Sequence, residues 1–343
     1  MIATNPTTIG NYPRLKSGVT YGERGDEIYV GLPTFGGMIA KDPHLQTLRY
    51  FDGHNHIKDI ANGLGEDLAQ IQQLQGILIG YGLLETLITP DLVGRNESHL
   101  LIRARLQSEL DLITHRAGSS DGGSQELHER EAFTILISGE NRLARNLLAA
   151  LQGIGFANTR IISRAFLSSR IEADDVCGFT TRTTDIGKSR IDFSREIIRN
   201  SQILKSELLA KANPDLIIST IPLEWDYVQR WMSEGSKHLH INSIIGNHVE
   251  IGPLVIPGIT PCLRCVTLTK RDLEINSAAE KLRTELPTAA SAYIAGLIAM
   301  CVSEYVATSE SSLMASSYWL DLLAPLSIPE QRYWGFHGSC GCQ

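Results

Sequence analysis

The amino-acid sequence predicts an α/β protein of two domains: a small winged helix-turn-helix domain, then a larger, doubly wound and mostly parallel sheet domain. Three observations predict it. A hairpin-like pair of runs and three short helical runs fall within residues 1–90. Strand-like and helix-like runs alternate across residues 130–343, and four of the six cysteines form two close pairs there. A length of 343 residues is too great for one ordinary core and suits two. With 43% hydrophobic and 20% charged residues, the composition is that of an ordered globular chain. The net charge of -7 disfavours sequence-independent binding of nucleic acid. No apolar run is expected to reach the roughly 20 residues that span a bilayer. The start, MIATNPTTIGNYPRL, has neither the basic flank nor the apolar centre of a secretory signal. A cytoplasmic, reducing location is therefore expected, with neither nucleic acid nor membrane as partner.

In the small domain, VTYGER and EIYVGL flank Gly25-Asp26, as in a β-hairpin. A third strand is expected at Gly37-Met38-Ile39-Ala40. Helical runs follow: HLQTLRYF up to Gly53, IKDIANGL up to Gly63, and EDLAQIQQLQGILIGYGLLE. In the last, Leu68, Ile71, Leu74, Ile77 and Leu78 recur at helical spacing and make one apolar face. Asp59 and Glu66-Asp67 stand near helix starts, where negative charge is favoured. A DNA-reading winged helix would carry a basic recognition helix, and Glu66 to Gly82 contains no Lys or Arg.

Residues 91–129 are expected to hold a helix from Glu97 to Thr114 and a flexible linker, GSSDGGS, from Gly118 to Ser124. The larger domain then opens with AFTILISG as a buried strand, NRLARNLLAALQGIG as a helix and TRIIS as a second strand. PDLIIST, HLHINSIIG and HVEIGPLVI add further strands, and TAASAYIAGLIAMCVSEYVAT, after Pro287, is a largely apolar helix.

Cys262-Leu263-Arg264-Cys265 places two thiolates within reach of one tetrahedral ion, and Cys340-Gly341-Cys342 supplies a second pair around a turn-permitting glycine. Four thiolates leave zinc no open position, so the expected metal is structural. Unligated thiols or disulfides are the alternative, disfavoured by a reducing compartment. A redox role for the Cys-x-x-Cys pair is disfavoured because it is not expected to open a helix after a strand. Cys177 and Cys301 read as buried filler. His44, His54, His56, His238, His240 and His248 show no catalytic or metal-ligand spacing and read as surface or core.

With these residues in view, the chain resembles the ThiF-like, ubiquitin-activating-type proteins. PLVIPGITPCLRC with the terminal WGFHGSCGC is similar to the zinc site of their peptide-antibiotic branch, the leader-peptide-binding subunits of azole-forming cyclodehydratases. LRYFDG followed by a helix pair ending in GYGLLE is similar to that branch's precursor-recognition winged helix. The resemblance implies capture of the leader of a ribosomally made precursor peptide, delivered to a YcaO-type ATP-dependent cyclodehydratase. It also implies a homodimer paired through the sheet domains, which the apolar helix from Thr288 to Thr308 would suit. The peptide groove would lie between third strand and third helix, at Met38, Ile39, Ala40, Gln70, Gln73, Leu74 and Ile77; Leu74 and Ile77 suit a core role equally.

Active ThiF-like enzymes carry a glycine-rich loop between first strand and helix, which lets the backbone approach phosphates. Here that stretch is Gly139-Glu140-Asn141-Arg142, with one glycine and a carboxylate. Ser163-Arg164 stands where an acidic residue would hold the ribose, and Ile221-Pro222 where an aspartate would hold magnesium. The expectation is therefore a non-catalytic subunit that takes no ATP. The alternative is an ATP-dependent adenylating enzyme acting on a peptide or carrier-protein terminus, with Arg142 and Arg145 binding phosphate in another way.

Overall fold

The computed structural model describes residues 10–40, 44–87, 97–116, 122–162, 169–201, 213–221, 224–241, 246–273 and 285–342, with backbone alone at 97–103. The chain divides into two compact units, Met1–His128 and Glu129–Gln343.

The first unit starts with β1 (Tyr12–Leu15), then the antiparallel sheet β2 (Thr20–Arg24), β3 (Glu27–Gly31) and β4 (Gly36–Ala40). Gly25 takes φ +68° in the β2–β3 turn, a conformation other residues adopt at a cost. Three helices follow: α1 (His44–Arg49), α2 (Ile57–Leu64) and α3 (Leu68–Gly80). The boundaries have local causes. Helix α2 passes through Gly63 and stops at the left-handed Gly65, and α3 starts where the Asp67 carboxylate accepts the Ala69 amide. Ile71, Leu74 and Leu78 are wholly buried on one face of α3, against Ile28 and Val30 of β3.

Helix α3 ends well before Glu85. Gly82 turns the chain at φ +68° into β5 (Leu84–Leu87), which pairs antiparallel with β1. The run GYGLLE is thus a turn and a strand, because pairing with β1 overrides the helical spacing. Glu85 of β5, 1% exposed, receives the Arg14 guanidinium at 2.5 Å and the Gly122 amide at 2.8 Å. The expected flexible linker lies partly outside the described residues, and its described end is held by that amide. Helix α4 (Glu97–Thr114) has the expected bounds, and α5 (Ser124–Ala132) carries the chain into the second unit.

The second unit contains β6 (Thr134–Ser138), α6 (Arg142–Gly153), β7 (Asn158–Ile162), α7 (Arg190–Ser201), β8 (Leu216–Ser219), α8 (Trp225–Ser233) and β9 (His238–Ile241). It continues through β10 (His248–Val255), α9 (Leu263–Asp272), α10 (Thr288–Thr308), β11 (Ser316–Asp321) and β12 (Glu330–Tyr333). Seven strands form one sheet in the order β12-β11-β10-β9-β8-β6-β7. The expectation of a mostly parallel sheet needs correction. The pairings β7–β6, β6–β8 and β8–β9 are parallel, whereas β9–β10, β10–β11 and β11–β12 are antiparallel. The parallel half follows from strand-helix-strand units. The antiparallel half includes β11 and β12, whose short polar runs SSYWLD and EQRY gave no strand signal.

Helix α10 is long and apolar enough to cross a membrane by length and composition, contrary to expectation. Its apolar surface has a nearer use. Ile294 and Ile298 are wholly buried in the core that Leu147, Leu148 and Leu151 of α6 also line, each such side chain contributing about 1.5–3 kcal/mol.

Candidate functional site

Strand β6 lies between β7 and β8, so the chain reverses its direction of sheet-building there. In open α/β sheets such a switch point, at the carboxyl ends of the strands, is where ligands settle. At that end, Gly139 leaves β6 with φ +135°. A Cβ there would lie 2.3 Å from Oγ1 of Thr220, which follows β8, so the tight turn depends on this one glycine. Asn141 then caps α6: its Oδ1 accepts the Ala144 amide at 2.9 Å, and its Nδ2 donates to the Thr220 carbonyl at 2.6 Å. The first amide of α6, on Arg142, donates to Oε2 of Glu285 at 3.2 Å. Burial holds the Glu285 carboxyl above the usual glutamate range, opposed by the Arg142 amide and the Arg145 charge.

Arginines give this turn its shape. Arg145, 2% exposed, donates to Oδ1 of Asp175 at 2.6 Å and to the Thr181 hydroxyl, and its guanidinium also meets the Glu140 carbonyl. Arg190 reaches the same carbonyl at 3.1 Å and Oδ2 of Asp175 at 2.7 Å. One buried carboxylate thus bridges two guanidiniums that grip one backbone oxygen. Arg145 is committed to this bridge and is not a free phosphate ligand. Arg142 donates to the carbonyls of Leu286 and Asp174. The Glu140 carboxylate accepts the Ser169 hydroxyl at 3.0 Å. Ser163-Arg164 and Pro222 lie outside the described residues. Sequence reasoning missed Asp175, Arg190, Thr220 and Glu285, which reach Gly139–Arg145 only through the fold.

The four cysteines come together. Sγ of Cys262 lies 3.4 Å from that of Cys340 and 3.9 Å from that of Cys265, and Cys265 lies 3.4 Å from Cys342. All four sulfurs fall within 4.8 Å of one another. A tetrahedral zinc–thiolate site has sulfurs about 3.8 Å apart, so the donor set fits this ion in number, softness and spacing. Gly341 takes φ +73° between the second pair. Cys262 caps α9, so the Cys-x-x-Cys pair does open a helix after a strand, contrary to expectation. The gathering of four sulfurs, rather than helix position, is what favours a metal over a redox role. Burial pushes the Cys340 and Cys342 thiols up; at Cys265 burial is outweighed by the His337 amide and the neighbouring thiols, so its thiol lies low.

In the first unit the named peptide residues separate by burial. Met38, Ala40, Gln70 and Gln73 are exposed and Ile77 is half-buried, whereas Ile39 and Leu74 are core, at 6% and 0% exposure. Alternation along β4 explains Ile39, and the Ile71–Leu78 stripe explains Leu74. Among the described residues, β4 pairs only with β3, leaving one strand edge open. Tyr81, which sequence reasoning missed, stands over β4: a Cβ on Gly37 would lie 2.4 Å from its ring, which is 43% exposed. The Gly36-Gly37 pair was the available signal for such a ring. Of the histidines, His56 caps α2, while His238 is buried with its ring lowered in pKa by that burial.

Two units in this order, with this sheet, make a fold that is found in solved structures. Solved structures share it over nearly the whole chain. The E. coli MccB structure with ATP matches at TM-score 0.68 and 12% identity, covering 96% of this chain and 99% of that one. The microcin C7 biosynthetic enzyme MccB in complex with N-formylated MccA matches at 0.67, with the same identity and coverage. PaaA matches at 0.65 and 13% identity, covering 94% and 100%. No family model and no curated protein matches.

These likenesses establish the fold, and they overturn one expectation. The sequence predicts a non-catalytic subunit without ATP from three departures: the single loop glycine beside Glu140, Ser163-Arg164, and Ile221-Pro222. Yet the whole of this fold is also that of a biosynthetic enzyme solved with ATP. Here a single glycine makes the turn and arginines brace it, so glycine count is no ground for excluding the chemistry.

Proposed function

We propose that this chain is an ATP-dependent adenylating enzyme that acts on the carboxyl terminus of a ribosomally made peptide. The observation that carries it is the β6–Gly139–α6 turn at the sheet's switch point, in a fold shared end to end with an enzyme solved with ATP and with a peptide. A carboxylate oxygen of the peptide attacks the α-phosphorus, the bond to pyrophosphate breaks, and an acyl-adenylate forms. The turn at Gly139 and the start of α6 would take the phosphates in place of the Glu285 carboxylate that now accepts the Arg142 amide, with the Arg145–Asp175–Arg190 bridge holding the Glu140 carbonyl in place.

On this reading residues 1–90 capture the leader, 91–129 connect, and 130–343 carry out the activation. An extended leader adds to the open edge of β4 through main-chain hydrogen bonds, with Met38 and Tyr81 as apolar contacts. Zinc at Cys262, Cys265, Cys340 and Cys342 is structural, tying the end of the chain to α9. The resemblance further suggests a cytoplasmic homodimer and a YcaO-type partner; co-purification with such an enzyme tests the latter. Helix α10 buries Ile294 and Ile298 in the core but leaves Tyr293 45% and Met300 63% exposed, so its outer face remains available for that pairing.

Pyrophosphate exchange by the full chain, with MgATP and candidate precursor peptides, is the decisive measurement. Exchange that depends on peptide and is lost in Gly139→Val supports the proposal. Absence of both exchange and saturable MgATP binding at millimolar nucleotide overturns it.

A further inference from the structure

Phe133, Asp215 and Lys237 each stand immediately before a strand: β6, β8 and β9, three parallel neighbours of one sheet. Backbone pairing aligns them, through the Asp215 amide on the Thr134 carbonyl at 2.9 Å and the Ile217 amide on the Lys237 carbonyl at 2.9 Å. They line an open cleft of about 270 Å³ at the amino ends of these strands, opposite the carboxyl ends where Gly139 turns. Glu129 of α5 and Tyr305 and Val306 of α10 help to complete its wall. The scaffold is well fixed. Oδ2 of Asp215 accepts the Thr134 amide at 2.8 Å, and the Phe133 ring packs edge-on to that of Phe156 at 6.2 Å.

The chemistry of the cleft is that of a site for a dipolar ligand. Lys237 lies over the Tyr305 ring, with Nζ 5.3 Å from its centroid, and makes no side-chain hydrogen bond or ion pair among the described residues. The Glu129 and Asp215 carboxylates share the cleft with this ammonium, yet neither meets it. Opposite charges held apart in one cleft are matched by a small molecule carrying an ammonium and a carboxylate of its own. The last turn of α10 borders the same space and has no basic residue, so its partial negative charge adds to the pull on an ammonium. Tyr305 is 6% exposed, and its hydroxyl has no hydrogen-bond partner among the described residues. A phenol so buried ordinarily has one. Phe133 and Val306 supply apolar contact. The volume falls below the roughly 300–1,000 Å³ of sites for larger ligands, which suits a molecule of amino-acid size.

We propose that this cleft is a second ligand site, which takes a free α-amino acid with an apolar side chain. The ligand's ammonium faces Asp215 and Glu129, its carboxylate faces Lys237 and the Tyr305 hydroxyl, and its side chain lies against Phe133 and Val306. The site does not rest on the nucleotide reading. It lies at the other end of the strands from Gly139, so its ligand does not compete with a nucleotide at that turn.

Thermal melting of the full chain with each free L-amino acid at about 10 mM tests it, because a ligand that binds only the folded state raises the melting temperature. At least one apolar amino acid should do so, and calorimetry should then give saturable binding. Two analogues of that amino acid test the charges on the unaltered chain. The amine lacking its carboxylate and the N-acetylated form lacking its ammonium should each bind about tenfold more weakly or worse. Lys237→Met keeps an apolar stem over Tyr305 and removes the charge, and Asp215→Asn keeps an acceptor for the Thr134 amide. Each should weaken binding to the same degree, and its melting temperature without ligand shows whether it is folded. No response to any amino acid overturns the proposal. So does binding indifferent to Lys237→Met, which would place the ligand elsewhere. An amine that binds as well as the amino acid also overturns it, leaving a simple cation site.

Discussion

Leu74 on α3 and Met38 on β4 have opposite surroundings, and substitutions there separate folding from recognition. Leu74 is wholly buried, so Leu74→Ala leaves a cavity and should cost about 2–5 kcal/mol of stability. Thermal melting of residues 1–128 reads that loss, and any fall in peptide binding would follow from it. Met38→Asp, at an exposed site beside the open edge of β4, should leave the melt unchanged and weaken leader binding by fluorescence polarisation. Unchanged binding would remove β4 from the proposed peptide path. Glu285 gives a second test at this scale. Its carboxyl is held above the ordinary 4.5 by burial, so the folded state retains the proton longer than the unfolded chain does. Stability from this group is therefore present in acid and is lost as pH rises above the unfolded value. Glu285→Gln keeps an acceptor for the Arg142 amide and should raise the melting temperature near neutral pH but not in acid. Removing this negative charge from the start of α6 should also tighten MgATP, as calorimetry would show.

Among the elements, α9 is held at two levels, by its cysteines and by the packing around Lys270. Its Lys270 ammonium, 2.6 Å from the buried Glu250 carboxylate, also lies over the rings of Trp319 and Trp334. This second anchorage predicts how the unit responds to loss of the proposed zinc. Cys262→Ser, or a strong chelator, should release about one zinc per chain and lower the melting temperature. It should not abolish folding, because the Lys270 cluster and the sheet remain. Each kcal/mol lost corresponds to about 2–4 °C in a domain of this size. Metal analysis beside calorimetry is the check, and protein free of metal with six titratable thiols rejects the site. What could be read in advance follows the same division. Local signals located β2, β3, α4, α6 and the cysteine pairs, since turn residues, helical spacing and ligand spacing are short-range. The β1–β5 pairing, the antiparallel half of the sheet and the Arg145–Asp175–Arg190 bridge were not legible. Each joins segments whose meeting depends on the completed fold, and neither EQRY nor an isolated aspartate announces its partner.

At the scale of the whole molecule, the proposed function gives recognition to one compact unit and chemistry to the other, and that division makes a kinetic prediction. If the first unit captures the leader, binding there raises the effective concentration of the peptide's carboxyl terminus for the second. A substrate lacking the leader keeps the reacting terminus and loses only this recruitment. Its KM should therefore rise by about two orders of magnitude or more while kcat changes little. Residues 129–343 alone should treat full-length and leaderless peptides alike, and residues 1–128 alone should bind the leader without catalysing exchange. Leader added as a separate peptide should inhibit the full chain competitively, because it fills the recognition unit without delivering a terminus. Pyrophosphate exchange with both substrates measures all of this. A leaderless peptide with the KM of the full precursor would place recognition within the second unit. A leader that instead raises kcat when supplied separately would show that its binding switches the second unit on, which recruitment by proximity does not predict.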